Sequence, residues 1–223
     1  ERYVNDSRRF REIAISRCNE FEPYSISGVP EEGWMDYTDK LGSWEEAEQE
    51  GKVLRNDIET NMGLTASVGI AYARIPAKMA SDCKKPDGLT LVRDREELAA
   101  LFRERGVRDL FGVGAATEKK FKRLEIFTIG EIAELSLDYL VELFKPSRGT
   151  YLYLISRGID ESKVVPYYEQ HFIPKSIGRG RTVRRRGTNN FDLLSDALRE
   201  LSRQVGTIVR GNGYYFRTVS LEM

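Results

Sequence analysis

A run of nine residues without a charged side chain, Leu64 to Tyr72, most constrains what this chain can fold into. Because 31% of the 223 residues are charged, an uncharged stretch of this length indicates a strand buried on at least one side. Pro76 then begins a short helix that extends to about Lys84, and Leu89 to Val92 forms a second strand. Strand, helix and strand in succession predict an α+β unit over residues 1 to about 95.

Two amphipathic helices precede the first strand. Apolar residues recur three to five positions apart between Asn5 and Phe21, which predicts a helix over that range. Ser43 and Glu46 form a capping box that begins the second helix, and Gly63 ends it.

The pattern changes after the second strand. From Arg95 to Asp160 the chain reads as a series of short helices, capped by Thr117, Thr128 and Ser136, which predicts a small all-α domain. Residues 161 to 174 contain two prolines and show no clear period, so we expect an extended linker there.

A third region follows this linker. Ile177 to Arg186 and Tyr214 to Leu221 are predicted strands, and a continuous apolar stripe predicts a helix over residues 191 to 210 between them. A β-α-β piece of this size is too small to complete a hydrophobic core alone.

The charges of the chain are distributed unevenly. Thirty-five basic residues balance thirty-five acidic ones, yet residues 22–59 carry a net charge of −8 and residues 170–223 one of +6. A basic end of this kind is typical of a part that meets a polyanion, although solvated surface charge produces the same asymmetry.

No apolar run is long enough to cross a bilayer, and a single histidine excludes chemistry built on a histidine pair. The two cysteines exclude a disulfide scaffold and favour a reducing cytosolic compartment.

Three segments carry candidate binding residues. Gly112 and Gly114, followed by Thr117 and Lys119, fit a helix-hairpin-helix turn that binds a phosphate with backbone N–H groups; the alternative is an ordinary tight turn between helices. Lys85 lies between a helix and a strand, where it could reach a triphosphate or be a solvated lysine. Six bases and no acid occur between residues 175 and 186, which favours contact with a nucleic-acid backbone.

A fourth segment is acidic. Glu31, Glu32 and Asp36 place three carboxylates within six residues. Two-metal phosphoryl transfer needs carboxylates that hold two cations about 3.5–4 Å apart, but composition alone favours an acidic surface turn.

In their order, these segments resemble the Y-family (translesion) DNA polymerases of the bacterial DinB/UmuC type. The resemblance covers nearly the whole chain and rests on Leu64 to Ala71, Ala77 to Asp82, Lys85 to Gly88, Phe111 to Gly114, Arg157 to Asp160 and Lys175 to Arg179. It implies part of a palm over residues 1–93, a thumb with helix-hairpin-helix turns over 94–162, a linker over 163–174, and the first half of a little finger over 175–223.

The resemblance also implies roles for individual residues. Lys85 would contact the triphosphate of an incoming deoxynucleotide, and the turn at Gly112 and Gly114 would hold phosphates of primer–template DNA. The same DNA would be lined by Lys175, Arg179, Arg181 and Arg184. Mg²⁺ is the implied cofactor of the complete protein, and a sliding clamp is an implied partner through residues beyond Met223.

The catalytic motif departs from the family pattern, which reads Ser-apolar-Asp-Glu-small-aromatic-apolar-Asp-x-Thr. Four extra residues follow Ser25 and Ile26, so two registers are open. Aligned from its C-terminal side, the motif places Glu31 at the metal-ligand aspartate and Glu32 at the catalytic glutamate. Aligned from its N-terminal side, it places Ser27 and Gly28 there. The longer glutamate side chain should weaken metal placement even in the first register.

The family's first aspartate-containing strand and its fingers domain should precede Glu1. We therefore expect this chain alone to bind DNA without polymerising, while its parent is a DNA-directed DNA polymerase. A catalytically inactive paralogue that acts as a DNA-binding or scaffold subunit of a mutagenesis complex is the alternative. A helix-hairpin-helix module of another repair protein would leave residues 64–92 unexplained.

Overall fold

The computed structural model of the protein describes residues 2–24, 31–165, 176–183 and 187–222. Tertiary contacts divide the chain into two units, Glu1–Gln170 and His171–Met223. Within the described ranges, no helix combines the length and the apolar character that crossing a membrane requires.

The first unit begins with a helix and an antiparallel hairpin. Helix α1 spans Arg2–Arg17, and strands β1 (Glu20–Tyr24) and β2 (Glu32–Asp36) pair so that Glu20 lies opposite Asp36. The predicted helix ran too far, because Phe21 belongs to β1. Its ring still packs against Ala14 of α1, so the apolar period continued across the end of the helix.

Helix α2 (Trp44–Met62) has the ends that the sequence predicts. The Ser43 side chain accepts a hydrogen bond from the N–H of Glu46, and Gly63 ends the helix in a left-handed conformation with φ of 64°. The Glu46 carboxylate accepts from the N–H of Gly42 instead of closing the box on Ser43.

The predicted strand, helix and strand are present and form a parallel pair with its crossover helix. Strand β3 (Val68–Ala71) lies beside β4 (Leu89–Val92), and α3 (Arg74–Asp82) connects them. A methyl group at Gly69 would come within 2.0 Å of the Ala77 carbonyl, so glycine is what allows α3 to lie this close to β3. Strand β3 is shorter than predicted, because among the described residues only Val68–Ala71 pair with a neighbouring strand.

Five short helices complete the first unit. They are α4 (Arg95–Phe102), α5 (Ala115–Lys122), α6 (Ile129–Glu134), α7 (Leu137–Phe144) and α8 (Pro146–Ile155), with a 3₁₀ turn at Val107–Asp109. Thr128 and Ser136 cap α6 and α7 as predicted. Thr117 is not a cap, because Gly114 occupies that position of α5 in an extended conformation and Thr117 lies in the first helical turn.

One hydrophobic core joins the parallel strand pair to the short helices. It extends from Met79 and Val92 through Phe102 and Phe121 to Leu152, each of them at most 3% exposed. The mixed architecture confirms the α+β class. The domain boundaries at 93 and 94, 162 and 163, and 174 and 175 stay predictions.

The second unit contains helix α9 (Phe191–Gly211), capped by the Asn190 side chain. The predicted strands at Ile177 to Arg186 and Tyr214 to Leu221 were wrong for the described ranges 176–183 and 214–222, which hold no strand. Alternation of apolar residues forms a strand only where a neighbour satisfies the backbone N–H and C=O groups. Tyr215 is 99% exposed, and among the described residues no strand pairs with the C-terminal segment.

Candidate nucleotide and nucleic-acid site

Lys85 lies in a cluster of two lysines and two carboxylates. Its Nζ atom is 2.7 Å from Oδ1 of Asp82 and 3.5 Å from Oε1 of Glu32. Lys78 Nζ lies 2.9 Å from Oδ2 of the same Asp82 and 3.3 Å from the same oxygen of Glu32. The structure therefore brings together two residues predicted from separate segments, Glu32 and Lys85, and adds two that were not singled out.

The charged groups of this cluster shift one another's pKa values. Burial alone would raise the pKa of Asp82, but hydrogen bonds from Lys85 and Lys78 lower it below its usual value. The hydrogen bond to Asp82 raises the pKa of Lys85, against the opposing effect of burial. Asp82 and Lys85 are accordingly both charged at neutral pH.

Helix α3 and strand β2 together position the cluster. Lys78 and Asp82 are four residues apart on α3, which places them on the same helix face. Trp34 of β2 donates from its indole Nε1 to the Arg74 carbonyl at 2.9 Å, and the Arg74 guanidinium lies 3.9 Å from the centre of the Trp34 ring. This contact holds β2, and with it Glu32, beside the first turn of α3.

Arg55 of α2 holds the turn that carries Lys85. Its Nη2 atom donates to Oδ1 of Asp87 at 2.7 Å and to the Asp87 carbonyl at 3.1 Å, while Nε donates to the Ala66 carbonyl at 3.2 Å. A guanidinium is suited to such an arrangement because its donors form a rigid planar fork. The backbone on both sides of Lys85 is thus fixed, by α3 before it and by Arg55 after it.

The described carboxylates do not by themselves fit a magnesium ion. Mg²⁺ requires near-octahedral oxygen ligands, and the Glu32 oxygen already faces two ammonium groups. Asp36 accepts from the N–H and hydroxyl of Thr38, and Glu31 is exposed. Within the described ranges, no three His, Cys, Asp or Glu side chains lie close enough to share a metal ion. Ser27 and Gly28 lie outside the described residues.

The turn at Gly112 and Gly114, called the thumb turn below, has two carbonyl groups that accept hydrogen bonds from side chains of α8. Tyr151 donates its hydroxyl to the Phe111 carbonyl at 2.9 Å, and Arg148 donates to the Gly112 carbonyl at 2.5 Å. Gly112 has φ of 83°, a conformation that glycine adopts at little cost. Gly114 then caps α5, whose first N–H groups have no acceptor within the helix.

Lysines near this turn differ in what they contact. Lys119 is exposed on α5, whereas Lys120 donates to the Leu143 carbonyl and lies over the Phe144 ring. Lys122 forms an ion pair with Glu118 at 2.8 Å. Of these three lysines, only Lys119 has no bonded partner within the described part of the chain, which agrees with its choice as a candidate phosphate contact.

The basic segment belongs to the second unit and is described in part. Arg179 and Arg181 are exposed in an irregular stretch. Lys175 and Arg184 lie outside the described residues, so the structure does not place them.

The sequence reasoning missed Lys78, Asp82, Arg55, Arg148 and Tyr151. For Lys78 and Asp82 a signal was present, since their spacing of four on a short helix predicts one shared face. No sequence signal could have paired Arg148 or Tyr151 with a turn about 40 residues earlier, because those contacts form only on folding.

Known proteins resemble this chain in two blocks. Residues 1–82 match the impB/mucB/samB family, and residues 108–160 match the thumb domain of DNA polymerase iota. DNA polymerase IV 2 of Agrobacterium fabrum is 35% identical over 203 residues, which are 91% of this chain and 54% of that protein. DNA polymerase IV of Moorella thermoacetica is 33% identical over 99% of this chain and 53% of its own length. The chain spans about half the length of these curated relatives.

Solved structures share the fold. DinB from Sulfolobus solfataricus superimposes with a TM-score of 0.65 at 22% identity, over 73% of this chain and 46% of its own. A post-insertion binary complex of Dbh DNA polymerase gives 0.64 at 18% identity, over 91% of this chain and 56% of its own. The class these folds define is a polymerase palm joined to a helix-hairpin-helix thumb. Over residues 1–82 and 108–160, and through its DNA polymerase IV relatives, the chain is similar to DNA polymerases of the Y-family.

Proposed function

We propose that the protein is part of a translesion DNA polymerase that adds deoxynucleotides to a primer 3′ end opposite a damaged template. The observation that carries this proposal is that one unit contains both the half-exposed Lys85 and the turn at Gly112 and Gly114 that precedes the first N–H groups of α5. The similarity to DNA polymerase IV proteins supports the same reaction class. A cytosolic location and a sliding clamp as partner of the whole protein belong to the same proposal, the location being supported by two unpaired cysteines.

Lys85 is the proposed contact to the triphosphate of the incoming nucleotide. Its side chain is 50% exposed, and its ammonium needs only to exchange a carboxylate oxygen for a phosphate oxygen. The firm backbone on either side of the turn reduces the entropy lost when the phosphate is bound.

Primer–template DNA is the proposed ligand of the thumb turn. The Phe111 and Gly112 carbonyls accept hydrogen bonds from α8, so they face away from the proposed phosphate. The N–H groups at Gly114 and at the start of α5 are the proposed donors to that phosphate. Thr117 in the first turn and Lys119 on the exposed side extend the same surface. Arg179 and Arg181, with Lys175 and Arg184, are the proposed contacts of the second unit.

The catalytic chemistry is proposed for the complete protein. When bound, two Mg²⁺ ions would lower the barrier by stabilising the attacking and leaving oxygens of the in-line displacement. Glu31 as metal ligand and Glu32 as catalytic carboxylate are the proposed contributions of this chain. The described residues alone do not complete such a site, so we expect no primer extension by the 223-residue chain.

A scaffold role is the second candidate. The contact of Glu32 with two ammonium groups favours it, because a carboxylate neutralised in this way is a poor ligand for a cation. In that case the protein would bind DNA as an inactive Y-family subunit of a mutagenesis complex.

A salt titration of DNA binding tests the phosphate contacts. Lys119→Ala should weaken binding to primer–template DNA and reduce the slope of log K against log salt by about one unit. Lys52→Ala is the matched control, because it removes a lysine from the acidic stretch of residues 22–59. Its slope should equal that of the wild-type protein. Equal slopes for both variants would remove the thumb turn from the DNA surface.

Two further measurements complete the test. Replacing Arg181 and Arg184 together should reduce the same slope by roughly one unit for each phosphate that the arginines no longer neutralise. Primer extension with a radiolabelled primer should give no product with this chain. Template-dependent extension would contradict the expected inactivity and would exclude the scaffold role.

A further inference from the structure

Two lysines share two carboxylates, and the lysines differ in access to solvent. Lys78 has a side chain that is only 14% exposed, whereas that of Lys85 is 50% exposed. Lys78 contacts both oxygens of Asp82, at 3.0 and 2.9 Å, and also Glu32. Lys85 contacts the same two acids from the solvent side. The inner lysine is therefore fixed, and the outer lysine is the one free to change partner.

The net charge of the cluster is zero as long as both lysines contact both carboxylates. If Lys85 turns to a triphosphate, Asp82 and Glu32 lose one of their two cations. Without Lys78, two bare carboxylates would then lie beside a polyanion, and like charges at this distance repel strongly. With Lys78 in place, a single negative charge is left over.

We propose that Asp82 and Glu32 hold Lys85 as internal counter-ions which a triphosphate displaces, and that Lys78 keeps the released carboxylates neutralised. Lys78 is then a positioning residue that touches no phosphate. Asp82 competes with the nucleotide for Lys85 and so limits its affinity. This inference rests on the proposed contact of Lys85 with a triphosphate.

The opposite signs of two substitutions test the inference. The probe is dATP, and the readout is its dissociation constant for the full chain, measured by calorimetry at low salt in EDTA. Asp82→Asn removes the competing charge at constant shape, so dATP should bind about threefold more tightly. Lys78→Met keeps the apolar stem of the side chain but removes the cation, so dATP should bind about fivefold more weakly.

Lys78→Arg separates charge compensation from a purely structural role. It keeps the cation but changes the shape of the side chain, so the affinity for dATP should stay within about twofold of wild type. If Lys78 only supported the fold, Lys78→Arg would weaken binding at least as much as Lys78→Met, which preserves the shape of the side chain. Should Lys78→Met fail to fold, Asp82→Asn decides alone: tighter binding supports the inference, and equal or weaker binding overturns it.

Lys85→Met distinguishes failure of this inference from failure of the proposed function. If it leaves dATP binding unchanged, or if wild type binds no dATP, Lys85 is not a triphosphate contact and both proposals fall. If Lys85→Met abolishes binding while Asp82→Asn does not tighten it, the exchange of counter-ions alone is wrong. The melting temperature of each variant is measured alongside, so that affinities are compared only between folded proteins.

Discussion

The side-chain carboxylate of Asp160 accepts a hydrogen bond of 2.6 Å from the backbone N–H of Ile75, 85 residues earlier in the sequence. Ala73, the residue at the N-cap of α3, has no side-chain oxygen to satisfy the first N–H groups of that helix. Asp160 performs this role from the end of the short-helix region. Its other oxygen accepts from the N–H and hydroxyl of Ser162, which fixes the carboxylate in place. The helix that carries Lys78 and Asp82 is thus capped across the first unit.

Asp160→Ala should lower the free energy of unfolding by about 1–2 kcal/mol, the usual cost of losing an N-cap. The decrease should be seen in urea unfolding followed by circular dichroism. Glu161→Ala, which removes the exposed acid next to it, is the matched control and should change the free energy by less than about 0.5 kcal/mol. Equal effects of the two substitutions would show that the contact with Ile75 contributes nothing to stability.

The stability of the protein should depend on the guanidinium group of Arg55 and not only on its positive charge. Arg55→Ala removes the donors that hold Asp87 and should destabilise the protein by about 0.5–1.5 kcal/mol, because the turn loses its hydrogen bonds while water can hydrate the exposed Asp87 oxygens. Arg55→Lys should recover only a small part, since an ammonium cannot reproduce the planar fork. Urea unfolding measures both variants. Full recovery by lysine would mean that charge alone holds the turn.

Two glycines of the thumb turn should respond differently to alanine. Gly112→Ala forces φ of 83° on a residue with a Cβ atom and brings that atom within 3.1 Å of the Tyr151 hydroxyl, so a destabilisation of about 1–3 kcal/mol is expected. Gly114 has φ of −91° and open space around it. Gly114→Ala should therefore leave the melting temperature nearly unchanged. A comparable drop for both would contradict this account of the turn.

Cys18 should resist alkylation at neutral pH. Burial raises the pKa of its thiol to about 11, and its Sγ atom donates to the Ala14 carbonyl at 3.2 Å. Because the thiolate is the reactive form, only about one molecule in a thousand carries it at pH 8. Iodoacetamide followed by peptide mass spectrometry should therefore label Cys18 slowly at pH 8, faster as the pH rises, and rapidly in urea. Rapid labelling of the native protein at pH 8 would show that the residue is exposed.

Helix ends and the parallel strand pair could be predicted from the sequence because their causes are local. Ser43, Gly63, Thr128 and Ser136 each satisfy backbone groups within four residues, so their pattern is enough. The uncharged run from Leu64 to Tyr72 likewise contains strand β3, although its four residues are only half-buried and Leu64 is exposed.

The hairpin and the strands of the second unit could not be predicted in the same way. The β1 strand contains Pro23, which interrupts the usual strand pattern, and its pairing with Gly33 depends on a residue ten positions later. Tyr214 to Leu221 alternates as a strand should, yet no neighbouring backbone is present in the described second unit to pair with it.

The sequence by itself determined the α+β class, the positions of most helices, the glycine turn and the candidate roles of Lys85 and Glu32. Only the tertiary structure decided that these two side chains share an ion-pair cluster with Lys78 and Asp82, and that Asp160 caps α3. The physical reason is distance along the chain: Glu32 and Lys85 are 53 residues apart, and a contact over that span exists only after packing has brought β2 against α3.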